Sequence, residues 1–304
     1  MIKGNINYGM KLVGMGLCLF FLTGCKSMTN KNDIKNTDVK NSALEIDSRG
    51  IVGNDSSNLF PPSLGGWSDV LSDKEIEKRK SANWIKENVT KDFLLGKVTR
   101  KDNPLFVKVS TEHTERNIHL IPPVYEAFKK MHEAALADNI KLKITSGHRT
   151  FAEQIYEWTL RWDNPRTDTE FADDVEKAKF VLQYRSMPGT TRHHWGTDID
   201  INSFELAYFQ TEEGINVYNW LKKNAAAFGF YQPYTEINEI RPKGYQEEKW
   251  HWSYKPISRL MLIKYLELTS IDDISGFKGD ATAKILPIVS DWICGINPLI
   301  YEED

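Results

Sequence analysis

Long basic tracts are missing from this 304-residue chain. With 39 Lys and Arg against 42 Asp and Glu its formal charge is −3, so it lacks the electrostatic footprint of a nucleic-acid binder and no nucleic acid is expected as a partner. No repeat at a solenoid period is evident. Cysteine is scarce, with Cys18, Cys25 and Cys294 the three present. The apolar run from Leu12 to Leu22 falls short of the roughly 20 residues that cross a bilayer. What is present is ordinary: 40% hydrophobic and 27% charged residues suffice for a real core in one large domain.

The short apolar run follows Lys3 and Lys11 and leads into Leu22-Thr23-Gly24-Cys25. A basic start and a short apolar stretch are the marks of a signal peptide. The ending resembles the bacterial lipobox, which implies cleavage before Cys25 and lipid on that residue. The expectation is an exported lipoprotein, anchored to a membrane and facing the periplasm or cell wall. Cys18 would leave with the signal and Cys25 would carry lipid, so Cys294 has no partner and no intrachain disulfide is expected.

Residues 26–66 are rich in Asn, Ser, Asp and Lys and bury too little to offset their ordering entropy. They read as a flexible tether with a reach on the order of 35 Å. The expected organisation is a signal at 1–25, a tether at 26–66, and one folded domain at 67–304 whose core is 118–254.

Within that domain, residues 71–89 predict a helix with Ser72 as N-cap and Glu75 at the capping-box position. "IPPVYEAFKKMHEAALADN" predicts another, with two prolines at its start and Val124, Phe128, Met131 and Ala135 on one face. Residues 140–146 alternate as a half-buried strand. Helices follow at 151–162 and 170–185, a strand at 196–202, a helix ending near Gly229, a strand at 249–254 and a last clear helix at 256–268. Helices and short strands mix without a βαβ rhythm, so the expected class is α+β with a small antiparallel sheet flanked by helices.

The densest chemistry lies in "PGTTRHHWGTDID", Pro188 to Asp200. On a strand, Asp198 and Asp200 share one face while Ile199 and Ile201 share the other. Two carboxylates on an otherwise apolar strand need positive company, because burying an unpaired carboxylate costs several kcal/mol or more. A divalent metal would supply it, with a histidine from the preceding loop as companion ligand. A third ligand stands in "EEKWHWSY": His251, flanked by Trp250 and Trp252, which alternation sends to the opposite face. Imidazole nitrogen and carboxylate oxygen suit zinc, and a catalytic zinc keeps three protein ligands. Glu248 is the candidate for managing a proton, provided it lies on a turn entering the strand.

These residues resemble the zinc D-alanyl-D-alanine carboxypeptidases and dipeptidases of the VanY and VanX type. That family's pattern is Ser-x-His-x-x-Gly-x-Ala-x-Asp followed by Glu-x-Trp-His. Here it stands as Thr191, His193, Gly196, Asp198 and Asp200, then Glu248, Trp250 and His251. "ITSGHRTFAEQ" resembles the family's Ser-Gly-Tyr-Arg segment, and the likeness covers roughly Ile118 to Tyr254. It implies the hedgehog-like D-Ala-D-Ala carboxypeptidase fold and one catalytic Zn2+ on His193, Asp200 and His251. Glu248 would be the base, and Arg149 would polarise the scissile carbonyl or hold the developing oxyanion. Substrate contacts would come from Ser146, Thr191, Asp198 and Gln154.

Three departures stand out. Thr191 replaces serine and His148 replaces tyrosine. Asp198 replaces alanine, which would tune His193 from behind, bind a cationic part of the substrate, or pair with an arginine. His194 is left to bond nearby or line the cleft. His113, His119 and His132 read as surface or helix residues, and Trp158, Trp162 and Trp195 as core or cleft wall. The implied reaction is hydrolysis of the terminal D-Ala-D-Ala bond of peptidoglycan stem peptides. An endopeptidase or dipeptidase of the same family, or a non-catalytic peptidoglycan- or zinc-binding lipoprotein, are the alternatives.

Overall fold

The computed structural model describes residues 73–165 and 170–302. The expected signal, lipidated Cys25, the tether and the Ser72 cap lie outside them. Among the described residues no helix is long and apolar enough to cross a membrane.

The elements run α1 (Asp73–Asn88), α2 (Lys91–Leu94), β1 (Val107–Lys108), β2 (His119–Leu120), α3 (Pro122–Ala137), β3 (Ile144–Ser146), α4 (Phe151–Asp163), α5 (Asp174–Val181), β4 (Asp198–Ile201), α6 (Glu212–Asn224), β5 (Phe230–Tyr231), β6 (His251–Tyr254) and α7 (Lys255–Leu268). Short 3-10 turns and one π-helical turn, Ile288–Ile293, fill the C-terminal segment. β1 and β2 make a small antiparallel pair, and an antiparallel sheet of four strands runs β3-β4-β6-β5. The class is α+β.

Most of the predicted helices form where the sequence places them. In α3 the prolines sit at the start, where a missing N–H is harmless, and Val124, Phe128, Met131 and Ala135 are all fully buried. In α4 Thr150 and Glu153 close a reciprocal capping box, and Trp158 and Trp162 face inward. After α6 the chain tightens into a 3-10 turn and stops at Gly229, whose φ is +82°.

Several elements are shorter than predicted, the strands expected at 196–202 and 249–254 among them, which run only over β4 and β6. The strand at 140–146 contracts to β3, because the side chain of Asn202 takes the backbone groups a neighbouring strand would use. Its Oδ1 accepts from Lys143 N at 2.7 Å and its amide donates to Lys141 O at 2.9 Å. The helix at 170–185 starts only at Asp174, where Asp173 accepts from Val175 N and Glu176 N.

One face of β4 and β6 builds the core. Ile199 and Ile201 are fully buried and Trp252 nearly so, as alternation requires. The segment after α7 packs onto the same core through Ile274, Phe277, Ile288 and Ile296. It is pinned by Trp158 Nε1 donating to Lys278 O at 2.8 Å and by Asn297 N donating to Pro233 O. Ile199→Ala should lower the unfolding free energy by about 2–5 kcal/mol, read by chemical denaturation, with far-ultraviolet circular dichroism unchanged.

Candidate metal centre and active site

The opposite face of the sheet carries the polar groups. Ser146, Asp200 and His251 stand side by side across β3, β4 and β6, and Asp198 stands opposite Ser253. The register therefore makes Asp200 and His251 direct cross-strand neighbours. His193 arrives from a 3-10 turn, Arg192–Trp195, opened by Thr191, whose Oγ1 accepts from His193 N, and closed by Gly196 at φ +67°. Only a residue at ease in the left-handed region reverses the chain there without strain.

One ligand-capable atom from each of His193, Asp200 and His251 lies within 4.8 Å of the others, and all three residues are buried. His193 Nδ1 donates to Gly147 O at 2.8 Å, since a carbonyl can only accept. This leaves Nε2 bare and 3.3 Å from Asp200 Oδ2. Gly147 is glycine because a Cβ would meet the His119 carbonyl at 2.8 Å. His251 Nδ1 lies 3.5 Å from Asp200 Oδ1. That oxygen is buried and has no hydrogen-bond partner, which is unusual for a carboxylate. A divalent cation fits this group: two imidazole nitrogens and one orphaned carboxylate oxygen converge, a donor set that suits zinc.

Without a metal, the electrostatics leave His193 and Asp200 in the ligating state and place a proton on His251 that a cation would displace. Burial and the nearby Arg149 guanidinium lower His193 to about 4, keeping it neutral. Burial alone would raise Asp200, but His193 and His251 hold it down at about 2. Burial also works against charge on His251, yet bonds to Asp198 and Glu248 lift it to about 9.

Glu248 does lie on a turn entering β6, where His251 N donates back to Glu248 O. Its Oε2 is 3.1 Å from His251 Nδ1. The loop before it is anchored by Glu248 N donating to Tyr234 O, by Gln232 Nε2 on Glu248 O, and by the buried Arg241 on the carbonyls of Lys243 and Tyr245. Arg149 sits across from it, its backbone bonded to His193 O and its Nη1 donating to Gln154 Oε1 at 2.9 Å. Ser146, Arg149, Thr191, His193, Asp200, Glu248 and His251 all line one cavity of about 350 Å³.

Several expectations need correction. Gln154 is fully buried behind Arg149, bonds Ser186 O, and does not line the cavity, so it aims the guanidinium instead of touching substrate. Asp198 is also fully buried and off the cavity, paired with Arg192 at 2.8 Å, so it cannot contact substrate. Trp250 precedes β6 and lines the cavity beside His251, escaping the strand's alternation.

His148 packs against Phe106 and is not part of the wall. His194 ties the Pro-Gly turn to Arg149: its Nε2 accepts from Gly189 N and its Nδ1 donates to Arg149 O. His113 and His132 are buried beside one another, their rings 4.6 Å apart. Trp158, Trp162 and Trp195 are core. Arg116, Glu157 and Arg185 also reach the cavity wall; no motif flagged them, because they enter from separate segments.

A small sheet bearing converging His, Asp and His, with a carboxylate and a guanidinium on the same cavity wall, is a candidate metal centre beside groups able to move a proton and to hold negative charge. Residues 117–257 match the family described as VanY, D-alanyl-D-alanine carboxypeptidase. A D-alanyl-D-alanine carboxypeptidase of Enterococcus faecalis is 29% identical over 144 residues, 45% of this chain and 47% of the relative. The putative carboxypeptidase YodJ of Bacillus subtilis is 28% identical over 169 residues, 54% and 56% of the two chains. The chain thus spans about half the length of these curated relatives. A solved structure of VanYB in complex with D-alanine-D-alanine is 22% identical, with a TM-score of 0.43, covering 56% of this chain and 88% of that one.

Purified chain should take up one zinc per molecule, counted by elemental analysis. His193→Ala, Asp200→Ala and His251→Ala should each abolish uptake, whereas His132→Ala should leave it at one.

Proposed function

We propose that this protein is a zinc-dependent D,D-carboxypeptidase that removes the terminal D-alanine from peptidoglycan stem peptides. The observation that carries the reading is the convergence of His193, Asp200, His251, Glu248 and Arg149 on a single cavity. The match of residues 117–257 to the VanY family and the carboxypeptidase names of the relatives support D-Ala-D-Ala as the bond. A cavity near the lower end of the usual ligand-site range is consistent with a small peptide terminus.

His193, Asp200 and His251 would hold the zinc. When bound, it supplies a Lewis acid that activates water and polarises the scissile carbonyl. Glu248 then moves the proton: Oε2 takes it from the attacking water and returns it to the leaving amine. Arg149, fixed by Gln154, offers its guanidinium to the charge that develops on the carbonyl oxygen. The backbone bond from Arg149 N to His193 O keeps ligand and guanidinium in one rigid unit, so the two act on the same carbonyl. The lipobox-like Cys25 and the tether complete the reading: a lipid-anchored enzyme whose domain reaches cell-wall peptides from the membrane.

Incubation with a defined pentapeptide muropeptide, followed by mass spectrometry, should show loss of a single alanine. Glu248→Gln should retain zinc and lose at least about 100-fold in turnover, and chelation should abolish it. Release of a dipeptide or cleavage of crosslinks would move the assignment within the family. Bound zinc without turnover of any muropeptide would favour a binding module.

A further inference from the structure

The fully buried carboxylate that replaces the family pattern's alanine has every acceptor position in use. Asp198 Oδ2 takes Arg192 Nε at 2.8 Å and His251 Nε2 at 3.1 Å. Its Oδ1 takes Ser253 Oγ at 2.7 Å and Thr197 Oγ1 at 2.9 Å. With both oxygens doubly engaged there is no lone pair left for a cation. Asp200, two residues on and on the same face, has a bare oxygen. The two neighbouring carboxylates therefore do different work.

Arg192 is as deeply buried as the acid it pairs with. Its Nη2 donates to Ser253 Oγ at 2.6 Å and its guanidinium lies over the Trp195 ring at 4.8 Å. Ser253 is held in turn by Ser258 at 2.9 Å. Asp198 is thus locked from β4, β6, α7 and the 3-10 turn that carries His193. The side of His251 it grips is the Nε2 side, and Nδ1 is left facing Asp200 and Glu248.

We propose that Asp198, clamped by Arg192 and Ser253, is the positioning residue that holds the proton on His251 Nε2 and so presents Nδ1 to the metal. A carboxylate behind a ligating histidine fixes its tautomer and ring angle and strengthens it as a donor. The inference rests on the zinc centre proposed above and deepens it. Arg192 serves Asp198 by aiming it, its Nε on Oδ2 at 2.8 Å within a buried ion pair.

The decisive experiment separates an aiming role from a structural ion pair. Zinc affinity of the full-length chain is measured by competition with a chromophoric chelator, and thermal unfolding is followed in EDTA, for wild type, Asp198→Ala, and the double variant Arg192→Leu with Asp198→Ala. The single variant strands the arginine and should lose both metal-free stability and zinc affinity. The double variant removes both charges, so its metal-free stability should recover while its zinc affinity stays 10–100-fold weaker than wild type. Recovery of affinity to within about twofold overturns the proposal and leaves a structural ion pair.

Should neither variant fold, wild type decides alone. With ¹⁵N-labelled histidine and zinc bound, His251 should show a slowly exchanging proton on Nε2, and a proton on Nδ1 overturns the proposal. Absence of zinc binding by wild type overturns the centre itself and this inference with it. Zinc binding indifferent to Asp198 overturns the inference alone.

Discussion

Two carboxylates buried side by side on one face of a four-residue strand set the terms for everything around them. Asp198 and Asp200 cannot remain ionised inside a protein without compensation, and the surroundings of the cavity supply it. Arg192, the histidines and Arg149 converge on β4 from a turn, from the neighbouring strand and from the end of β3, each held by its own backbone bonds. Removing one partner of such a buried pair typically costs 3–5 kcal/mol, so the ion pairs constrain as well as neutralise. The sheet is small because its task is local: it needs only enough register to bring Asp200 against His251 and Asp198 against Ser253.

The chemistry then follows from asymmetry between near neighbours. His193 spends Nδ1 on the Gly147 carbonyl and keeps Nε2 for the cavity; His251 spends Nε2 on Asp198 and keeps Nδ1. His194, adjacent to His193, spends both nitrogens on backbone and is a brace. Burial drives its basicity down to about 3, so it stays neutral and can accept from Gly189 while donating to Arg149. Three imidazoles, two of them adjacent in sequence, thus divide into two candidate ligands and a strut by hydrogen bonding alone.

Much of this was legible beforehand because it depends on local periodicity. The helical face of α3, the capping box of α4, the stop at Gly229 and the shared face of Asp198 and Asp200 all follow from spacing and residue type. Strand and helix ends were less legible. Asn202, more than fifty residues away, cuts β3 short by capturing the backbone of Lys141 and Lys143, and Asp173 delays α5. Arg116, Glu157 and Arg185 reach the cavity from separate segments and carry no motif that spacing could reveal.

The sequence alone determined which chemistry was on offer: imidazole and carboxylate on alternating strands, a glutamate on the turn before His251, an arginine after a tight Ser-Gly turn. Those are properties of residue order and of the two backbone periods. Tertiary structure decided how that chemistry is divided. It made Asp200 the open carboxylate and Asp198 the closed one, put Gln154 behind Arg149, and chose the nitrogen each histidine shows to the cavity. The reason is physical: a side chain's role depends on which donors saturate it, and those donors come from strands and turns whose register no local window contains.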